Sequence, residues 1–179
     1  MVEPESVGNI LLDAARLIKA GEIIVFGSAS LALWMEEAPR TKDVDLWCVP
    51  PERGELVQAL MGELSWYHDK HGVFVEVWGP ETFAAPIDWP LRAKRLEEAT
   101  VLGVTLVVPH PQDVLLAKLE RWDDSDRGHA ALILRHFPLK PSILQARVAQ
   151  SPYRTGVITD EGRIASFEAH LRQLERTIV

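Results

Sequence analysis

The sequence predicts a mixed α/β fold with a helical C-terminal portion, and three observations predict it. Short β-branched runs alternate with segments of helical period as far as Val108. Beyond Pro109 the apolar residues keep only the helical spacing, at Val114-Leu115-Leu116, Leu119, Leu132-Ile133-Leu134, Ile143-Leu144, Phe167, Leu171 and Leu174. The 179 residues, 47% of them apolar and 25% charged, suffice to bury one continuous core.

Taken in order, Ser6 can cap a first helix whose Ile10, Leu11, Ala14, Leu17 and Ile18 recur at three- and four-residue spacing, and Gly21 supplies the stop. Ile23-Ile24-Val25-Phe26 reads as a buried strand ending at Gly27. A helix over 29–36 follows, broken by Pro39, and Val44 to Val49 form a second strand before Pro50-Pro51. Residues 52–63 read as a helix. Trp66-Tyr67 are expected to pair with residues 73–78 around a turn at 68–72. Arg92, Lys94 and Arg95, followed by Glu97 and Glu98, read as a solvated helix face with intrahelical ion pairs. Val101 to Val108 is a further strand. The segment 150–162, carrying Pro152, Gly156 and Gly162, is the best linker and leaves a terminal helix over 163–176. The division expected is a core over 1–137 with a helical extension, 138–179, packed on it.

Several function classes drop out on composition. The longest apolar runs, such as Val104 to Val108, fall far short of the ~20 residues a bilayer span needs. The opening Met-Val-Glu-Pro-Glu has neither the basic nor the apolar region of an export signal, so the expected location is cytoplasmic. A formal charge of −7 argues against nonspecific binding to phosphate backbones. Cys48 is the single cysteine, sits in an apolar run and reads as packing. None of the six histidines forms a helical i, i+4 metal pair. Ser28 and Ser30 lack the Gly-x-Ser-x-Gly elbow of an acyl-transfer nucleophile. Trp34, Trp47, Trp66 and Trp78 all fall in expected regular elements, where core packing is the default.

Three short segments carry chemistry. At Phe26-Gly27-Ser28 the chain leaves a strand and enters a helix, which presents backbone N–H groups to an anion; glycine's permissive backbone explains the same junction without a ligand. In Lys42-Asp43-Val44-Asp45-Leu46 the aspartates alternate with apolar residues, so on a strand both carboxylates share one face. Their repulsion is relieved by a divalent cation, and hard oxygen donors suit magnesium or manganese; an exposed edge with solvated acids is the competing explanation. In Val73-Phe74-Val75-Glu76-Val77-Trp78 a lone acid interrupts an apolar strand, where it faces either water or a cation.

The order strand, Gly-Ser, helix, Asp-apolar-Asp, then an acid on a later strand resembles the polymerase-β-type nucleotidyltransferase superfamily. That resemblance implies a small mixed sheet flanked by helices. It also implies that Gly27 and Ser28 contact a nucleoside triphosphate, that Asp43 and Asp45 bind magnesium, and that Glu76 completes the metal site and assists an attacking hydroxyl. Pro39-Arg40-Thr41-Lys42-Asp43-Val44-Asp45-Leu46 is similar to the Arg-x-Thr-x-Asp-x-Asp string of a small bacterial branch that includes AbiEii-type toxins, and places Arg40 and Thr41 beside the nucleotide. Pro111 to Leu119 resembles that branch's Pro-x-Asp-(apolar)-x-x-Lys-Leu helix, which would bring Lys118 to the phosphates or the acidic site. Asp126-Arg127 fits the next element in part, with Ser125 and His129 standing where an arginine and an acid are expected.

The implied reaction is magnesium- or manganese-dependent transfer of a nucleoside monophosphate from a nucleoside triphosphate to a hydroxyl on an RNA end, a protein or a small molecule. The rival is a module that keeps the fold without turnover, for example one partner of a toxin–antitoxin pair.

Overall fold

The computed structural model describes residues 1–96 and 103–178. They fall into two compact units, Met1–Thr82 with Ala93–Pro109, and Phe83–Arg92 with His110–Val179.

The first unit is built on five strands, β1 (Gly21–Val25), β2 (Asp43–Val49), β3 (Phe74–Val77), β4 (Lys94–Leu96) and β5 (Val104–Val108), in the order β3-β2-β1-β5-β4. β1 runs antiparallel to β2 and parallel to β5, β3 is parallel to β2, and β4 is antiparallel to β5. Helices α1 (Pro4–Ile18) and α2 (Glu52–Met61) contribute Ile10, Leu11, Ala14, Val57 and Met61 to one apolar core. That core also holds Ile23 and Val25 of β1, Val44, Leu46 and Cys48 of β2, and Val75 of β3. Because side chains alternate along a strand, Asp43 and Asp45 stand on the opposite face of the sheet from this core. Cys48 is buried within it, and desolvation pushes its thiol up to about 11, as befits packing.

Several local expectations are corrected. α1 begins at Pro4 with Glu3 in the capping position, so Ser6 lies inside the helix, and its end is made by Lys19 in a left-handed conformation. Gly21 serves pairing: its φ is 102°, and a β-carbon there would stand 2.1 Å from the Val49 carbonyl oxygen. The helix expected over 29–36 is a short 3-10 segment, Ala29–Leu33, in which the Ser30 hydroxyl turns back onto the Gly27 carbonyl at 2.8 Å. Trp66-Tyr67 form no hairpin. They start α3 (Trp66–His71), capped by the Ser65 hydroxyl, which accepts from the His68 N–H, and ended by Gly72 at φ 67°. β3 pairs instead with β2, in parallel, as a crossover through two helices requires. Lys94 and Arg95 belong to the edge strand β4, where Arg95 pairs with Glu22 of β1, and not to a helix face. Glu97, Glu98, Val101 and Leu102 lie outside the described residues.

The second unit is helical throughout its described residues, with α4 (Pro111–Ala117), α5 (Asp124–His136), α6 (Pro141–Ala149) and α7 (Glu161–Thr177). Leu115, Leu116, Leu119, Ile133, Leu144, Phe167 and Leu174 fill its interior, and Tyr153 stacks on Phe167 at 4.3 Å. Two fully buried carboxylates are enclosed by cations. Asp113 accepts from Arg92 and Arg147, and Asp126 accepts from Lys118 at 2.8 Å and from Arg121. Among the described residues no helix is long and apolar enough to cross a membrane.

Candidate active site

The acids of the first unit are brought together by strand register. β2 and β3 pair so that Asp43 lies beside Phe74 and Asp45 beside Glu76. In a parallel pair, residues in register point the same way, so the Asp45 and Glu76 carboxylates rise from adjacent strands on one face, with Asp43 two residues along on the same face. All three are partly exposed.

The turn after β1 closes on these acids. The Phe26 N–H donates to the Asp45 carbonyl at 3.0 Å, which carries the chain past the end of β1 and alongside β2. Gly27 then takes φ 64°, and a β-carbon there would stand 2.5 Å from Asp45 Oδ2. Glycine is needed on both counts, for the left-handed backbone and for the closeness of the carboxylate. The turn is held from two sides. Ser30 Oγ donates to the Gly27 carbonyl, and the Ser28 and Thr41 hydroxyls share a 2.8 Å hydrogen bond. Thr41 is buried and joins Val2 in a backbone bridge, so the loop entering β2 is anchored as well.

The electrostatics are those of an acid cluster. Burial, followed by the negative charges of Asp43 and Glu63, raises the Glu76 carboxyl above its ordinary range, and the Trp78 indole N–H offsets part of this rise. Trp78 Nε1 also donates to Asp45 Oδ1 at 3.0 Å. The hard oxygen donors of Asp43, Asp45 and Glu76, placed on one face at mutual electrostatic cost, suit by their chemistry a divalent cation such as magnesium or manganese. Among the described residues no group of three or more His, Cys, Asp or Glu side chains is arranged so that it could hold a metal ion.

Of the residues singled out from the sequence, Gly27, Ser28, Thr41, Asp43, Asp45 and Glu76 all belong to the first unit, and the contacts above tie Gly27 to Asp45, Asp45 to Glu76 and Ser28 to Thr41. Arg40 also lies in this unit, but its guanidinium pairs with Glu3 at 2.8 Å. Lys118 belongs to the second unit and is held there by Asp126. Ser30 is fully buried and spends its hydroxyl on the turn, consistent with its rejection as a nucleophile.

Sequence reasoning missed Trp78, which is 45% exposed and hydrogen-bonded into the acid cluster instead of packed in the core. Trp66, 69% exposed, departs from the packing expectation too. A signal for Trp78 was present: two residues beyond Glu76 and one past the end of β3, it keeps the strand's alternation and falls on the same face.

A family model described as a nucleotidyltransferase of unknown function (DUF6036) matches residues 9–132, more than half of the chain. The matched segment contains Gly27, Ser28, Asp43, Asp45, Glu76 and Lys118. No curated protein and no solved structure matches.

Proposed function

The chain belongs to the nucleotidyltransferases of the DUF6036 family, and from that premise we propose that it transfers a nucleoside monophosphate from a nucleoside triphosphate to a hydroxyl acceptor in a magnesium-dependent reaction. The observation that carries this reading is the register that sets Asp45 beside Glu76 with Gly27 closing over the Asp45 carboxylate.

In this reading the backbone of Gly27 and Ser28 receives the triphosphate, as a strand-to-helix turn with outward N–H groups can. Asp43, Asp45 and Glu76 would hold the magnesium, which when bound would supply charge neutralisation for the phosphoryl transfer. Glu76, whose carboxyl is raised above its ordinary range first by burial and then by Asp43 and Glu63, would accept the proton of the acceptor hydroxyl. The acceptor oxygen forms a bond to the α-phosphorus, the bond from that phosphorus to the oxygen bridging the β-phosphate breaks, and pyrophosphate leaves. Arg40 reaches a phosphate only after parting from Glu3, and Lys118 is engaged by Asp126 within the second unit. The Arg-x-Thr-x-Asp-x-Asp string supports an AbiEii-like, toxin-type role for this transfer in the cytoplasm, on an RNA end, a protein hydroxyl or a small molecule.

One observation favours a nucleotide-binding or partner module without turnover: the cation-bearing residues Arg40 and Lys118 are already committed to Glu3 and Asp126. The two readings separate in an assay with α-labelled nucleoside triphosphates and magnesium, offered RNA, protein and small-molecule fractions as acceptors. Label transferred by the wild type and not by Asp43→Asn supports the enzyme. Equal labelling by both, or none by the wild type in any fraction, contradicts it.

A further inference from the structure

Trp78 is placed by the sheet and not by a loop, since its backbone N–H extends the β2–β3 pairing by donating to the Leu46 carbonyl at 2.9 Å. Its side chain therefore leaves the sheet on the face of Glu76 and Asp45. There the indole Nε1 meets Asp45 Oδ1 at 3.0 Å, while Asp45 Oδ2 lies against the α-carbon of Gly27. The two carboxylate oxygens thus each have a neighbour, Oδ1 a hydrogen bond from the indole and Oδ2 the backbone of Gly27. An aspartate χ2 is a broad, roughly two-fold torsion, so a fixed donor can select among its orientations. A donor to an ionised carboxylate is about twice as strong as a neutral hydrogen bond. The indole N–H is also a donor only, so it can orient the carboxylate and favour its charged form but cannot itself ligate a cation.

We propose that Trp78 is a positioning residue of the acidic site, whose indole N–H holds the Asp45 carboxylate in the orientation from which it takes a divalent cation. The inference rests on the metal-dependent reading above and adds to it a residue outside the acid triad. Groups that orient metal-binding side chains from behind typically change metal affinity by about 10- to 100-fold when removed, which sets the scale expected here.

The test uses manganese alone as the probe, with free ion followed by electron paramagnetic resonance, on the full chain, Trp78→Phe, Asp45→Ala and the double variant. Circular dichroism and thermal midpoints establish that each is folded. The expected result is that Trp78→Phe binds manganese about tenfold more weakly than the wild type, while in the Asp45→Ala background the same change has no further effect. Trp78→Leu, which removes the donor without adding a metal ligand, is expected to show the same loss and serves as the informative variant if Trp78→Phe does not fold. Wild-type affinity in Trp78→Phe, or an equal loss with and without Asp45, overturns the positioning role and leaves the metal reading standing. Absence of manganese binding by the wild type overturns both.

Discussion

The α-carbon of Gly27 and the carboxylate of Asp45 approach so closely that a methyl group on the glycine would stand 2.5 Å from Asp45 Oδ2. The turn after β1 and the acid on β2 are thereby brought into one place.

Gly27→Ala tests this closeness. The substitution meets both a left-handed backbone, φ 64°, and the Asp45 oxygen, and strain of this kind amounts to about 1–3 kcal/mol. The expected outcome is a lower thermal midpoint, together with loss of any midpoint rise on adding nucleoside triphosphate and magnesium. A variant as stable as the wild type, with an intact ligand response, contradicts the account of the turn.

Glu76 should make stability depend on pH in the unusual direction. Its folded carboxyl is raised above 4.5, first by burial and then by Asp43 and Glu63. A raised value means that the folded state holds the proton more tightly, so the contribution is fully present below the unfolded value and is lost as pH rises through the folded one. Without divalent metal, Glu76→Gln is therefore expected to be more stable than the wild type at neutral pH, and the difference should close on acidification below 4.5. Thermal unfolding across pH 3 to 8, with both proteins in metal chelator, reads this directly. A destabilised variant at neutral pH would show that the Glu76 charge is compensated.

Asp126 should behave in the opposite way. Burial pushes its carboxyl up, but Arg121 and Lys118 more than offset this and hold it at about 2, below the ordinary 3.8. A depressed value gives stability that is present above 3.8 and is lost as pH falls toward about 2. Removing the carboxylate leaves the Lys118 ammonium, only 11% exposed, without this partner. Asp126→Ala is therefore expected to destabilise the helical unit by about 3–5 kcal/mol, the range for breaking a buried pair from one side. Denaturant unfolding measures it. A loss below about 1 kcal/mol, the range of exposed pairs, would show that Lys118 finds water or another acceptor.

Much of this architecture was legible in the sequence because two periods carried it. Val44, Leu46, Asp43 and Asp45 alternate with period two, and that alone separates a core face from an acidic face. Val114 to Leu119 and the later apolar residues keep the helical period, and the second unit is helical as they require. What was not legible depended on particular caps and pairings. Ser65 acting as a helix cap turns Trp66-Tyr67 from strand to helix, and no periodicity announces it in so short a segment. Arg92, Lys94 and Arg95 look like a helix face because Glu97 and Glu98 follow them closely enough for intrahelical pairs, yet Arg95 finds its acid across the sheet at Glu22. The pairing of β3 with β2 is written in neither strand's own pattern, and the side-by-side placement of Asp45 and Glu76 follows from that register. Trp78 was overlooked because tryptophan's size suggests a core, whereas its strand position aims it at the acids.

The most direct test of the central claim is a thermal-stability titration of the chain with each nucleoside triphosphate plus magnesium, repeated with Asp43→Asn and Asp45→Asn. A ligand that binds only the folded state raises the midpoint by mass action, by about 2.7 kcal/mol of stability at a hundredfold excess over Kd. The account predicts a magnesium-dependent rise with at least one nucleotide that vanishes in both variants, while their unliganded midpoints equal or exceed that of the wild type because a repelling charge has been removed. No rise with any nucleotide, or a rise retained in both variants, would contradict it.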